Sequence, residues 1–479
     1  MRVFFLGILC WLAVSPVFAA TLSLDHFISR TLATHPWMKQ SAQNYWASVF
    51  RREAADAVYD WNLFASYTFQ RGMASEGFTS FSPDTHVDLG KIAVSRVFPG
   101  ALEVAVVGNY AGYRAMPATF PGISIQDLQV LGVSLEIKKP LWRNLMGTME
   151  EYPIKLQAYQ VQLADIRYQD DLNTFVRQLT DVYLSWYLQY KTVQILTSQM
   201  KTSEALLAIT MRQAKAGLAE PLDVAQSRQQ VLTRRVQAKQ AMQLLAQQQV
   251  LIQGYLGLNT PLKAVPVLPK LGFDMPEKEA LAHVRQSSNL AQLWDIQVQT
   301  QEALLSYQSE VNKPALDGFV NYYVGSREVY GELNGFGGKN TVAAGVTFEM
   351  PLNDTILASL DEANALIRQA KYQKEVSLRQ VCDQLRASFA AQKALAAQLK
   401  EVHKLVSVAK DVARLEKEKY QLGRSPSQAF VIGAEDRVLD AALQREVLVV
   451  QALQLQNTMA ATTDKYRAYA IFEDRQERP

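Results

Sequence analysis

Two stretches decide how this chain is read: QAKAGLAEPLDVAQ (Gln213–Gln226) and EKYQLGRSPSQAF (Glu418–Phe430). Each interrupts a very long helical run almost free of glycine and proline, and behind each the helical pattern resumes. The first holds Gly217 and Pro221, the second Gly423 and Pro426. A glycine past the end of a helix accepts the left-handed conformation that terminates it, and a proline opens the next helix at little cost. Both stretches therefore read as hairpin tips. Two such tips in one chain imply an internal repeat.

Ahead of the first tip, Leu172, Val176, Leu179, Tyr183, Trp186, Tyr190 and Val193 follow one another at alternating spacings of four and three. That is a heptad stripe, the pattern that packs one helix along another. At 1.5 Å per residue the run from 149 to 214 would reach roughly 100 Å, far more than a compact domain needs. A return helix is expected over 222–256. Pro261, Pro266, Pro269 and Pro276 then mark a linker at 261–276. The order starts again beyond it, with a second long helix over 356–421 carrying Leu395, Leu399, Val402 and Val406, and a return helix to about Tyr469. The expected organisation is a first repeat at 20–260 (long hairpin 149–256), a second at 277–470 (long hairpin 356–469), and a tail at 471–479.

Between the first short helix of each repeat and its long one, the period changes from helical to two. The first repeat begins with a helix from Ser23, a plausible N-cap, with a break or kink at His35-Pro36. In WNLFASYTFQRG, Leu63, Ala65, Tyr67 and Phe69 alternate with Phe64, Ser66, Thr68 and Gln70. HVDLGKIAVSRVF, ALEVAVVGNYAGY and DLQVLGVSLEIKKPLW continue the strand signal across 61–140, with a tight turn at Pro99-Gly100. The second repeat supplies two strands over 315–351, in ALDGFVNYYVGSREVY and TVAAGVTFEMPL. The first repeat's strand segment is longer by roughly forty residues, enough for one extra hairpin centred on Pro99-Gly100. Long connections at about 72–85 and 114–126 against that short turn match an outer-membrane barrel. Tyr59, Trp61, Tyr67, Tyr110, Tyr113 and Trp142 lie near strand ends, either as an interfacial aromatic girdle or as ordinary core packing.

The opening MRVFFLGILCWLAVSPVFAA has a positive start, an apolar run and small residues at Val17-Phe18-Ala19, so residues 1–19 read as a signal peptide cleaved after Ala19. The run is shorter than the roughly 20 residues a membrane span needs. Beyond it Cys382 is the remaining cysteine, so the mature fold depends on no internal disulfide. With 48% hydrophobic residues, 20% charged and a formal charge of +3, the chain is neither disordered nor marked for nucleic acid.

Catalytic and metal chemistry find little support. His26, His35, His86, His283 and His403 are scattered, with no pair at zinc-ligand spacing. NGFGGKN has Leu333 and Asn340 where a phosphate-binding loop needs glycine and serine or threonine. No cofactor is expected. Asp223, just past the first tip, is either a helix cap favoured by the dipole or a carboxylate at a channel entrance.

Taken together, LSLDHFISRTLATHPWM, KKPLW, EMPL, AGLAEPLDVAQSRQQV and LGRSPSQAFVIGAED stand in the duplicated order helix, strands, proline, long helix, glycine turn, helix. In this the mature chain resembles the outer-membrane efflux protein family, of which TolC is the familiar member. The resemblance implies a mixed α and β fold: a long coiled-coil tunnel below an outer-membrane β-barrel shared by a homotrimer. It implies a passive exit duct for efflux or type I secretion, not an enzyme. Its partners would be a periplasmic adaptor, an inner-membrane transporter and outer-membrane lipid. The tip residues Gly217, Leu218, Pro221, Leu422, Gly423 and Pro426 would meet the adaptor. Asp223, Arg424, Glu435 and Asp436 would stand at the gate or entrance. Family protomers usually give four strands, whereas this chain has material for six. The extra hairpin could join the wall or lie outside it; the apolar face of Leu102, Val104, Val106 and Tyr110 favours the wall. A soluble periplasmic coiled-coil scaffold is the other reading the residues allow.

Overall fold

Residues 21–73, 84–115, 128–329, 339–350, 355–422, 424 and 428–471 are described by the computed structural model. Residues 1–20, most of the glycine-rich loop NGFGGKN, Gly423, Pro426 and the tail beyond 471 lie outside the described residues. The chain divides into two compact units, one of residues 1–43, 167–291 and 377–479, the other of 44–166 and 292–376.

The second unit holds one six-stranded antiparallel sheet in the order β2 (Asn62–Met73), β3 (Asp84–Phe98), β4 (Leu102–Ala115), β5 (Leu128–Pro140), β7 (Ala315–Val329), β8 (Lys339–Glu349). The extra hairpin β3–β4 is thus hydrogen-bonded into the sheet between β2 and β5. Its turn has Gly100 at φ +81° and Ala101 at φ +57°. The Lys139 ammonium donates to the Gly100 carbonyl and, at 2.9 Å, to that of Leu145. A β-carbon at Gly147 would fall 3.0 Å from the Gly100 backbone, so glycine there lets the turn seat against the corner leaving β5.

Because paired residues share a face, the register sorts the sheet's two surfaces. Leu63, Val94, Val106, Leu135, Tyr322 and Val342 form one row across all six strands. Every member is exposed, from 38% at Val94 to 73% at Leu63. On the opposite face a neighbouring row reads Asn62, Ser95, Ala105, Glu136, Asn321 and Ala343. On this polar face the large rings recline. A β-carbon at Gly132 or Gly325 would fall 2.1 or 2.4 Å from the Tyr323 hydroxyl oxygen, and one at Gly345 would fall 2.7 Å from the Phe319 ring. Glycine here gives each aromatic ring a bed along the sheet. Tyr67 and Tyr110 lie on the apolar face, and the Tyr67 hydroxyl donates to Asp88 at 2.8 Å. The Arg96 guanidinium lies over the exposed Trp61 ring and over Phe98. The Tyr113 side chain is outside the described residues.

The first unit is helical. Its core joins Phe27 and Ile28 of α1 (Leu24–Thr34) and Met38 of α2 (Pro36–Ala55) to Leu172, Phe175, Val176, Leu179, Tyr183 and Trp186 of α3 (Thr148–Lys215). Ile252 and Leu256 of α4 (Pro221–Leu256) complete it. The heptad stripe from Leu172 to Trp186 is therefore its spine, each large side chain worth about 1.5–3 kcal/mol by burial. His35 leaves the helical region between α1 and α2, and the Ser23 hydroxyl caps α1. Later in the chain a helical segment is likewise broken, at Ser287, into α5 (Glu277–Gln286) and α6 (Asn289–Val311).

Two features depart from the sequence reading. Within the proline-rich linker, Val265–Pro266 forms strand β6, which pairs in parallel with β1 (Thr21–Leu22). The buried Tyr183 hydroxyl ties the pair, donating to the Leu22 carbonyl at 2.7 Å and accepting from the Val267 N–H at 2.9 Å. Burial pushes this phenol up to about 12. The return helix expected to reach Tyr469 ends earlier: α7 (Thr355–Gln421) is followed by α8 (Gln428–Thr462), then a 3-10 turn at Lys465–Ile471. Asp464 stops α8 with φ +54°, its carboxylate accepting from the Asn289 N–H at 2.9 Å and from Asn173 at 3.2 Å. Those bonds offset the left-handed backbone. Among the described residues no helix is long and apolar enough to cross a membrane.

Candidate functional site

The first tip is built by its own backbone. Gly217 has φ +73°, and the Leu218 N–H reaches back to the Gln213 carbonyl at 2.8 Å, the six-to-one bond of a Schellman ending. Pro221 opens α4, with Glu220 as N-cap. The Asp223 carboxylate accepts from the Glu220 N–H at 3.1 Å while the Glu220 side chain accepts from the Asp223 N–H, so Asp223 completes a capping box. Leu218 is 79% exposed and caps nothing.

At the second tip the Arg424 N–H bonds the Lys419 carbonyl at 2.9 Å, spanning the same five residues as the bond from Leu218. Arg424 therefore occupies the place of Leu218, and Leu422, 68% exposed, falls two positions earlier, in the place of Ala216. Gly423 and Pro426 are outside the described residues.

Behind the apices the two hairpins meet along a buried polar seam. Thr210 of α3, Ser227 of α4 and Gln428 of α8 are all nearly or wholly excluded from solvent. The Gln428 amide donates to the Ser227 hydroxyl, which lies 3.5 Å from that of Thr210. The Gln213 amide donates to the Tyr420 carbonyl at 3.4 Å. Two turns deeper, Arg234, 7% exposed, pairs with Asp436, which also accepts from the Gln230 amide at 3.3 Å. Four buried polar atoms here have no partner: Gln213 Oε1, Gln230 Oε1, Gln428 Oε1 and the Tyr420 hydroxyl. Each such group costs about 1–3 kcal/mol, which weakens the contact between the two hairpins.

Asp436, then, is engaged with Arg234, and Glu435 is half-buried beside it. Burial pushes the Glu435 carboxyl above the usual carboxylate range; Lys417 opposes this, and Asp436 adds to it. A raised folded-state pKa means that the ionised form opposes folding at neutral pH, a penalty that fades as pH falls through that pKa. Glu435→Gln is therefore expected to raise the melting temperature at neutral pH and to lose that advantage on acidification. A gain independent of pH would refute the burial argument.

Sequence reasoning missed Thr210, Ser227, Arg234 and Gln428. The signal was available: Ser227, Val231, Arg234, Ala238 and Ala241 are all buried and spaced four, three, four, three. An arginine in such a stripe is unusual and demands a partner. Among the described residues no three His, Cys, Asp or Glu side chains stand close enough to hold a metal ion.

No protein-family model matches the sequence, and no curated protein is found similar to it. Solved structures do match. The outer membrane protein VceC from Vibrio cholerae superposes with a TM-score of 0.68 at 13% identity, over 92% of this chain and 96% of that one. The CmeC outer membrane channel of Campylobacter jejuni gives 0.67 at 13% identity, over 95% and 87%. The open state of the MtrE outer membrane channel of Neisseria gonorrhoeae gives 0.63 at 15% identity, over 95% and 93%. This chain has the fold of those outer-membrane channels.

Proposed function

We propose that this chain is a member of the outer-membrane efflux protein family, and that three copies form an exit duct across the outer membrane and periplasm. Their sheets pool into one membrane-spanning barrel, and their long hairpins into a periplasmic tunnel. A periplasmic adaptor and an inner-membrane transporter load it from below, and no bond-making chemistry is performed. The signal peptide delivers the chain across the inner membrane.

The observation that carries this reading is the two-faced sheet. Its apolar row from Leu63 to Val342 is exposed throughout, while the opposite face bears Asn62, Ser95, Glu136 and Asn321. Apolar outside and polar inside, in alternation along each strand, is what lipid on one side and water on the other require. Among the described residues, strands β2 and β8 each have one neighbour, and an open edge has no place in hydrocarbon. A soluble scaffold would leave that apolar face in water, an aggregation hazard.

The tips are the gate. Gly217, Leu218, Pro221, Leu422, Gly423 and Pro426 present the adaptor surface, and Asp223, Arg424, Glu435 and Asp436 surround the entrance. The polar seam behind them supports this: its under-satisfied contacts can be exchanged for water when the hairpins part. To test the duct, the protein is extracted from membranes and placed in a planar bilayer. Detergent-dependent oligomers that conduct ions in discrete steps are expected; a compact monomer soluble without detergent overturns the reading.

A further inference from the structure

We infer that the extra hairpin β3–β4 is part of the membrane wall, so that each copy contributes six strands and a trimer closes an eighteen-stranded barrel. The inference rests on the pooled-barrel reading above, and adds to it the size of the pore and the pairing of its edges.

Three observations carry it. First, β2 pairs along its whole length with residues 84–95 of β3, and β4 pairs with β5 from Glu103 to Tyr113. Expelling the hairpin would break both ladders and require β2 and β5 to find each other anew. Second, the amphipathic alternation continues through the hairpin, with His86, Asp88 and Arg96 as polar interruptions of its apolar face. Ile92, Val94, Val104 and Val106 continue the apolar surface, and Ser95, Glu103 and Asn109 the polar one. A hairpin folded over the mouth would have no use for a lipid-facing side. Third, its turn is fastened in place by the Lys139 bonds and by the close seat that Gly147 provides.

The free edges then dictate the joint between copies. Apolar residues are odd-numbered on β2 (Leu63, Ala65, Tyr67) and even-numbered on β8 (Val342, Ala344, Val346). A slip of one residue would turn a whole strand inside out, so odd positions of β2 must meet even positions of the next copy's β8. Barrel diameter grows roughly in proportion to strand number, making this wall about one and a half times as wide as twelve strands would give. Walls of 16–18 strands enclose a water-filled channel. The reclining Tyr323 and Phe319 rings keep the bore clear. Selection by size therefore falls to the helical end, not to the outer-membrane segment.

The test uses the full-length protein purified in detergent, imaged by electron cryomicroscopy. In parallel, Ala65→Cys on β2 is combined with Ala344→Cys, or with Ala343→Cys, on β8, in a Cys382→Ala background. Expected are eighteen strands in the wall, with oxidation linking copies through the 65–344 pair at least tenfold more than through 65–343. A conducting trimer with twelve wall strands, or linkage favouring 343, overturns the inference while leaving the duct intact. A soluble monomer overturns both.

Discussion

Glutamate in place of Leu218 is expected to abolish export while leaving assembly and membrane insertion unchanged. Leu218 is 79% exposed at the turn apex, where the backbone alone closes the turn through the Leu218 N–H and Gln213 carbonyl. A side chain that packs against nothing contributes little to its own fold, so the substitution should change stability by less than about 0.5 kcal/mol. Large exposed leucines are poor choices for a solvated turn and good ones for an interface anchor, because a partner that buries them gains about 2 kcal/mol each. Replacing that gain with a buried, unpaired carboxylate reverses its sign. In the proposed trimer the effect multiplies, since every copy brings such a tip. Leu422→Glu should act in the same way from the second tip. There Arg424 fills the place of Leu218, so the two tips offer a partner different chemistry on the same backbone frame. Export assays beside outer-membrane fractionation read the result. A Leu218→Glu protein that exports normally removes the tips from the adaptor surface.

Much of this architecture was legible because its signals are long or punctuated. The heptad from Leu172 to Trp186 repeats a spacing that only a packed helix satisfies, and its five members are the most deeply buried stripe of α3. The Gly217 turn was readable because few residues tolerate φ +73°, and the period-two alternation in β2 and β4 marks one face apolar. What escaped notice is held by single contacts between residues far apart in sequence. Nothing local announces that Thr21–Leu22 pairs with Val265–Pro266, a ladder two residues long stitched by one tyrosine hydroxyl. The early end of α8 turns on Asp464, whose partners Asn173 and Asn289 come from distant segments. The same holds at the tips. Glu435 and Asp436 were singled out for their charge and their closeness to a turn, but the pairing of Asp436 with Arg234 depends on how α4 and α8 lie together. Asp223 was read as either cap or entrance carboxylate, and the capping box supplies the first role directly.

That pairing makes the strongest case for a latch. Arg234 stands in the buried stripe of α4 and is 7% exposed, whereas the Asp436 side chain is 46% exposed. Removing the carboxylate in Asp436→Leu strands a guanidinium that has lost its water, with Gln237 as a neutral acceptor at 2.8 Å. Breaking a fully buried pair costs about 3–5 kcal/mol, and the half-exposed partner here scales that down to about 2 kcal/mol. The loss falls on the contact between hairpins, beside a seam that already leaves Gln230 and Gln428 under-bonded. The expected result is a channel that opens more often without its partners, seen as raised conductance in a planar bilayer and as entry of bulky polar antibiotics into cells. Adding Arg234→Leu should restore closure. Leucine continues the stripe between Val231 and Ala238, and an apolar pair of similar volume replaces an ion pair at little or no cost. The double-mutant cycle decides the matter. If the two substitutions simply add, leaving the double variant leakier than Asp436→Leu alone, the pair is no latch and closure is maintained elsewhere.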